Sequence, residues 1–145
     1  MNKNITVQSL ITLFKKLEKH TFNISNVNLN HIQRYILKYI VLGSDNREIY
    51  QKDIEQQFGL SKSTVSEILK SFEKDDLVIR IASEKDQRLK IIKMTDKSRI
   101  VRQEILDNIQ SVEDLLVENL SNQEITNFNE TLLKMIDNLQ KGEKQ

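Results

Sequence analysis

Residues 51–74 constrain the fold of this 145-residue chain more than any other stretch. The spacing predicts a short helix over Gln51 to Phe58, with Ile54 and Phe58 on one face. Gly59 follows, and glycine permits the positive φ that a tight turn between helices demands. Ser61 is a strong N-cap for a second helix reaching about Lys74. Val65, Ile68, Leu69 and Phe72 share one face of it and are the expected core. Helix, turn and capped helix make a helix-turn-helix arrangement. Ordinary helix hairpins share the pattern, so DNA binding does not follow from it alone.

The flanking elements narrow the choice. Asp75-Asp76 breaks the helical pattern, and Leu77 to Ile81 is short, β-branched and alternating, which predicts a strand. A polar loop, Ala82 to Gln87, leads to a second β-rich run, Leu89 to Met94. Glu48-Ile49-Tyr50 fits either a small strand or the start of a helix. Upstream, Leu10, Leu13, Phe14 and Leu17 have helical spacing, with Thr6 capping that helix or lying in its first turn. A polar break, 23–28, separates it from a helix marked by Ile32, Ile36, Tyr39 and Ile40, with Asn28 or Asn30 as N-cap and Gly43 as C-cap. From Asp96 onward, Ile100, Val101, Ile105, Ile109, Val112, Leu115, Leu116 and Leu120 form the stripe of one long helix. Ser121 with Glu124 is a capping box opening a last helix that carries Ile125, Phe128, Leu132, Ile136 and Leu139. The tail, 141–145, is expected to fray. Three glycines and no proline favour long helices over a turn-rich β fold.

The formal net charge is +1, which by itself does not mark a nucleic-acid binder. Residues 51–94 hold nine basic and eight acidic side chains, and residues 95–145 hold six basic and ten acidic. A DNA-binding face must therefore come from placement, with the acidic C-terminal part turned away from phosphates. No apolar run approaches a membrane span and no signal-peptide core is present, so a cytoplasmic location is expected. The absence of cysteine removes disulfides, thiolate ligands and thiol nucleophiles. His20 and His31 are the only imidazoles and form no His-x-x-x-His pair, so neither a metal nor another cofactor is expected. No nucleophile elbow or Gly-rich phosphate loop is visible, and an enzyme is not expected.

Two constellations carry binding chemistry. Ser61, Lys62, Ser63 and Thr64 place small and basic residues in a first helical turn, where N–H groups, hydroxyls and the helix dipole suit a phosphate. Ser66, Glu67 and Lys70 lie off the buried face and within reach of a major groove, Lys70 as a phosphate contact. Glu67 repels phosphate, yet a carboxylate accepts from cytosine N4. The second constellation is the hairpin tip, Ser83-Glu84-Lys85-Asp86-Gln87-Arg88, with Lys90 beyond it. Arg88 suits a narrow minor groove, and Asp86 is placed to brace its guanidinium through a bidentate pair. In isolation the tip reads as a solvated turn with a weak ion pair.

The order helix, helix, strand, charged loop, strand is that of a winged helix. At this point the sequence resembles the MarR family of bacterial transcriptional regulators. The family's wing pattern is Asp-x-Arg, five residues, Leu-Thr; here stand Asp86, Arg88, the five residues 89–93, and Met94-Thr95. Ser61 to Lys74 followed by Asp75-Asp76-Leu77-Val78-Ile79-Arg80 also looks like the family's pattern. Thr64-Val65-Ser66 stands where Thr-Val-Thr is common, and Glu67 where a basic residue is frequent.

The resemblance implies a mainly α fold with a small β wing, a winged helix-turn-helix core flanked by N- and C-terminal dimerisation helices. It divides the chain into residues 1–27 for dimerisation, 28–95 for DNA and 96–145 for dimerisation. It implies that Arg88 enters the minor groove beside Asp86, with Lys85 and Lys90 in the wing set, while the helix from Ser61 lies in the major groove. It implies a homodimer on double-stranded DNA, with Leu10, Phe14, Val112, Leu116, Leu120, Phe128, Leu132 and Ile136 between subunits. A small-molecule effector is expected near Phe14, Leu17, His20 and Tyr35, so the function implied is a ligand-responsive repressor. The family's thiol switch has no residue here. Low net charge and Glu67 keep open an alternative, a winged helix that binds protein in place of DNA.

Overall fold

The computed structural model describes residues 5–21, 24 and 27–143. Its elements are α1 (Ile5–Thr21), α2 (His31–Gly43), β1 (Ile49–Tyr50), α3 (Gln51–Phe58), α4 (Lys62–Lys74), β2 (Val78–Ala82), β3 (Lys90–Met94), α5 (Asp96–Val117) and α6 (Asn122–Gly142). The chain divides into two compact units, Met1–Ile109 and Gln110–Gln145. Most of the expected break at 23–28 and the end of the tail fall outside the described residues.

The core of the first unit joins α2, α3, α4, the sheet and the start of α5. Ile36, Leu37, Ile40 and Val41 of α2 meet Ile54 of α3 and Val65, Leu69 and Phe72 of α4, all fully buried. Ile49, Ile92, Val101 and Ile105 close the cluster. Burying a Leu, Ile or Phe side chain contributes roughly 1.5–3 kcal/mol, so the α4 face alone anchors that helix firmly.

Local chemistry fixes each corner. Asn30 caps α2 by accepting the Gln33 N–H (3.0 Å), and Gln33 returns the bond to the Asn30 N–H (3.0 Å). Asp53 accepts the Tyr50 N–H (2.9 Å) at the start of α3. Tyr50 therefore ends β1 and opens α3, so the segment whose sequence fits two readings serves both. Gly59 adopts φ 62°, and the Leu60 N–H bonds back to the Glu55 carbonyl (3.1 Å). After α4, Asp76 takes φ 56° and Leu77 N–H returns to the Phe72 carbonyl (2.8 Å). That left-handed residue turns the chain from helix to strand. At the start of α5, the Thr95 N–H donates to the Ser98 hydroxyl (2.9 Å), and the Thr95 hydroxyl accepts the Ser98 N–H (3.1 Å). The Thr of the wing pattern is thus a helix cap, and Met94 beside it packs on the core.

The three strands form an antiparallel sheet in the order β1-β3-β2. Val78 pairs with Met94, Arg80 with Ile92 and Ala82 with Lys90, which sets the wing register. Both long strands begin one residue later than the sequence pattern expects, because Leu77 bonds back to the end of α4 and Leu89 to Asp86 in the tip turn.

Two expectations are corrected, the cap at Gly43 and the place of Leu120. Gly43 is not a left-handed C-cap; it is the last residue of α2, and a Cβ there would lie 2.9 Å from Ile49 Cδ1, so close approach to β1 explains the glycine. Along the apolar stripe of α5, Val101, Ile105 and Val112 are buried, whereas Ile100 and Leu115 are 73% and 63% exposed. Leu120 lies beyond the helix, after Asn119 has turned the chain with φ 63°. Ser121 and Glu124 do form the expected capping box.

Replacing Gly59 by Ala forces a Cβ into the left-handed region at a cost of about 1–2 kcal/mol. Urea denaturation should show that loss; an unchanged midpoint would contradict the assignment.

Candidate nucleic-acid interface

With Val65, Ile68, Leu69 and Phe72 turned inward, α4 presents the opposite face to solvent. Ser61, Lys62, Ser63, Thr64, Glu67 and Lys70 are exposed there, and Ser66 is half-buried. The hydroxyls of the first turn are not all free, as the sequence suggested. Ser61 Oγ accepts the Thr64 N–H (3.2 Å) and shares hydrogen bonds with the hydroxyls of Ser63 (3.0 Å) and Thr64 (2.8 Å). This knot locks the helix start, and Lys62 supplies its exposed charge.

Sequence reasoning missed Arg80. Its guanidinium donates to Glu73 Oε2 (2.7 Å) and reaches Ser66 Oγ at 3.5 Å, so one half-buried arginine ties β2 to α4. The hydrogen bond from Arg80 holds the Glu73 carboxyl below its ordinary value, against the opposing effect of burial. A charged residue on the same strand face as Val78 was the available signal, together with Glu73, the penultimate residue of α4.

At the wing tip, Asp86 organises the turn. Its carboxylate accepts the Arg88 N–H (3.0 Å), and its carbonyl accepts the Leu89 N–H (2.9 Å). The expected bidentate brace is absent: Arg88 Nε approaches Asp86 Oδ1 at 3.5 Å in a single contact. The Arg88 side chain is 94% exposed, so its guanidinium stands clear of the protein, and an ion pair so solvated contributes little. Asp86 acts on the backbone, which aims the arginine. Lys85 and Lys90 are exposed on either side of the turn.

The residues expected around an effector differ in exposure. Phe14 and His20 are exposed, while Leu17 and Tyr35 are half-buried. The Tyr35 hydroxyl donates to Glu18, and its ring meets His31 edge-on at 4.9 Å between centroids. Burial first, and Glu18 second, push the Tyr35 phenol up to about 12. Of the residues expected between subunits, Phe14, Leu116, Leu120, Phe128 and Ile136 are exposed, and Leu10 and Leu132 are half-buried. Val112 is only 9% exposed within the single chain. Among the described residues, no group of three or more His, Asp or Glu is placed to hold a metal, and no helix is long and apolar enough to cross a membrane.

A capped helix packed across a shorter one, followed by a hairpin with a protruding arginine, defines a winged helix-turn-helix protein. The profile of the MarR family matches residues 27–89. The HTH-type transcriptional regulator MgrA of Staphylococcus aureus is 35% identical over 92 residues, 63% of this chain and 61% of that protein. A MarR-like regulator from Thermotoga maritima superposes with a TM-score of 0.72 at 22% identity, covering 97% of this chain and 98% of the other. MepR of S. aureus, in a structure with DNA, superposes with a TM-score of 0.68 at 22% identity over 92% of this chain and 96% of that one. Over residues 27–89 the chain is similar to the MarR family, and it spans 61% of the length of the MgrA relative it matches.

Because its folded pKa is lowered, Glu73 contributes stability above the ordinary 4.5, and that contribution is lost as pH falls through the lower folded value. The melting temperature of Glu73→Gln should therefore lie below wild type at neutral pH, with the gap closing as pH drops below 4.5. A gap independent of pH would refute the Glu73–Arg80 pair as its origin.

Proposed function

We infer that this chain is a transcriptional regulator, not an enzyme, that binds double-stranded DNA through α4 and the wing. The observation that carries the reading is the pairing of two exposed readers on one scaffold: the solvent face of α4 and the solvent-exposed guanidinium of Arg88. Ser63, Ser66, Glu67 and Lys70 face the major groove, with Ser61, Lys62 and Thr64 at its phosphates. Arg88 enters the minor groove, presented by Asp86 and flanked by Lys85 and Lys90.

The working form is a homodimer on a pseudo-palindromic site. Two amphipathic helices support it. No described residue of α1 is buried, and Val7, Ile11 and Phe14 are about half exposed or more. α6 buries none of its residues and exposes Phe128, Leu133, Ile136 and Leu139. Helices of this kind gain most of their stability from packing, and a second copy supplies that surface. The division into 1–27, 28–95 and 96–145 follows from these roles. Leu10, Leu116, Leu120 and Leu132 belong to the subunit contact, with Val112 beneath it.

An effector at Phe14, Leu17, His20 and Tyr35 would bias the spacing of the two recognition helices and so act as an inducer of a repressor. One S. aureus MepR structure holds ethidium, at a TM-score of 0.65 and 21% identity over 96% of this chain and 99% of that one, which supports looking for such a ligand. The expected site of action is the cytoplasm.

Mobility shifts with genomic fragments at several salt concentrations test the reading. Affinity should fall steeply as salt rises; a chain that binds no duplex at low salt would leave the protein-binding alternative. Arg88→Ala should cost on the order of 1–3 kcal/mol in DNA affinity while leaving the dimer intact, and an unchanged affinity would remove the wing from the account. Glu67→Ala should relax the preference for cytosine at one position per half-site in selected sequences. An identical selected motif would show that Glu67 reads no base.

A further inference from the structure

Between the two readers lies a cleft of about 240 Å³ that the sequence did not single out. Its walls come from three separate stretches of chain: Gln51, Lys52 and Glu55 of α3, Lys62 at the start of α4, and Arg88 and Lys90 of the wing. Four cations thus converge from elements that are distant in sequence, against Glu55 in the lining and Asp86 beside Arg88. Gln51 Nε2 donates to Glu55 Oε1 (3.2 Å), and the same amide reaches the Lys62 carbonyl at 3.3 Å. Gln51 therefore stitches the α3 wall to the α4 wall. Lys52, Lys62 and Lys90 are exposed and form no ion pair among the described residues. Converging like charges repel one another, and an anion in the cleft relieves that repulsion.

We propose that this cleft is a seat for the phosphodiester backbone of the strand that separates the two grooves, and that Lys52 is one of its phosphate contacts. The inference rests on the DNA-binding reading above and deepens it. A protein with a helix in the major groove and an arginine in the adjacent minor groove must straddle the strand between them. The cleft lies between those readers, open to solvent and lined by point charges. Lysine suits the task, because it contacts phosphate without demanding a fixed planar geometry. Gln51 fixes the spacing of the walls, and Lys52 extends the interface from α4 and the wing onto α3. Such contacts fix register on the duplex and carry no sequence information.

Lys52→Met tests the proposal, with Lys74→Met as the control; Lys74 ends α4, about 18 Å along the helix axis from Lys62 by helical rise. Both side chains are exposed, so both variants should fold, and melting curves verify this. For Lys52→Met the slope of log affinity against log salt should flatten by about 0.9 per bound subunit, equally on selected and arbitrary duplexes. Lys74→Met should leave it unchanged, and Lys52→Arg should restore it. A Lys52→Met slope equal to wild type overturns the proposal. Inorganic phosphate titrated into the DNA-free protein separates backbone from a soluble phosphate ligand. Saturable binding abolished by Lys52→Met, with that variant's salt slope equal to wild type, would give the cleft to a soluble ligand and overturn it. Should the wild-type chain bind no duplex at all, the failure lies with the DNA-binding reading itself.

Discussion

The interface depends on four side chains that never touch a partner. Val65, Ile68, Leu69 and Phe72 are spent on the core, and that decides what is left for function. A helix has one circumference; once one side is committed against α2 and α3, Ser63, Glu67 and Lys70 have only solvent to face. The commitment also fixes rotation about the helix axis, so the exposed set is presented in one orientation. Loss of a core contact here would tilt the reader as well as lower stability.

Turn and cap chemistry then places the second reader relative to the first. Asp76 in the left-handed region turns the chain out of α4, and Arg80 fastens β2 back onto Glu73 and toward Ser66. The register of β2 on β3 carries the hairpin outward, and Asp86 closes its tip through backbone bonds. Thr95 and Ser98 cap α5 where β3 ends. Helix and wing are thereby held on one unit, and the cations around Lys52, Lys62 and Lys90 line the space between them.

Much of this was legible in the sequence where one residue type has one local physical role. Ser61 as a cap, Gly59 in a turn and the Ser121–Glu124 box follow from short-range rules. The buried face of α4 follows from helical period. Roles that depend on neighbours distant in the chain were not legible. Arg80 meets Glu73 only after the chain has reversed, and Lys52 meets Lys90 across 38 positions. Gly43 was legible as a glycine but not as a contact with Ile49. Asp86 was rightly placed beside Arg88, yet spacing alone does not tell a side-chain brace from a backbone turn. The stripe of α5 was legible as a helix, but apolar periodicity does not say which residues meet their own chain, and Ile100 and Leu115 stay exposed.

Groove-resolved methylation protection on a selected duplex tests the central claim most directly, because guanine N7 lies in the major groove and adenine N3 in the minor. The account predicts protection of guanines under α4 and, a few base pairs outward, of adenines under the wing, with Arg88→Ala losing only the adenine signal. Protection confined to one groove, or an adenine signal that survives Arg88→Ala, would contradict it.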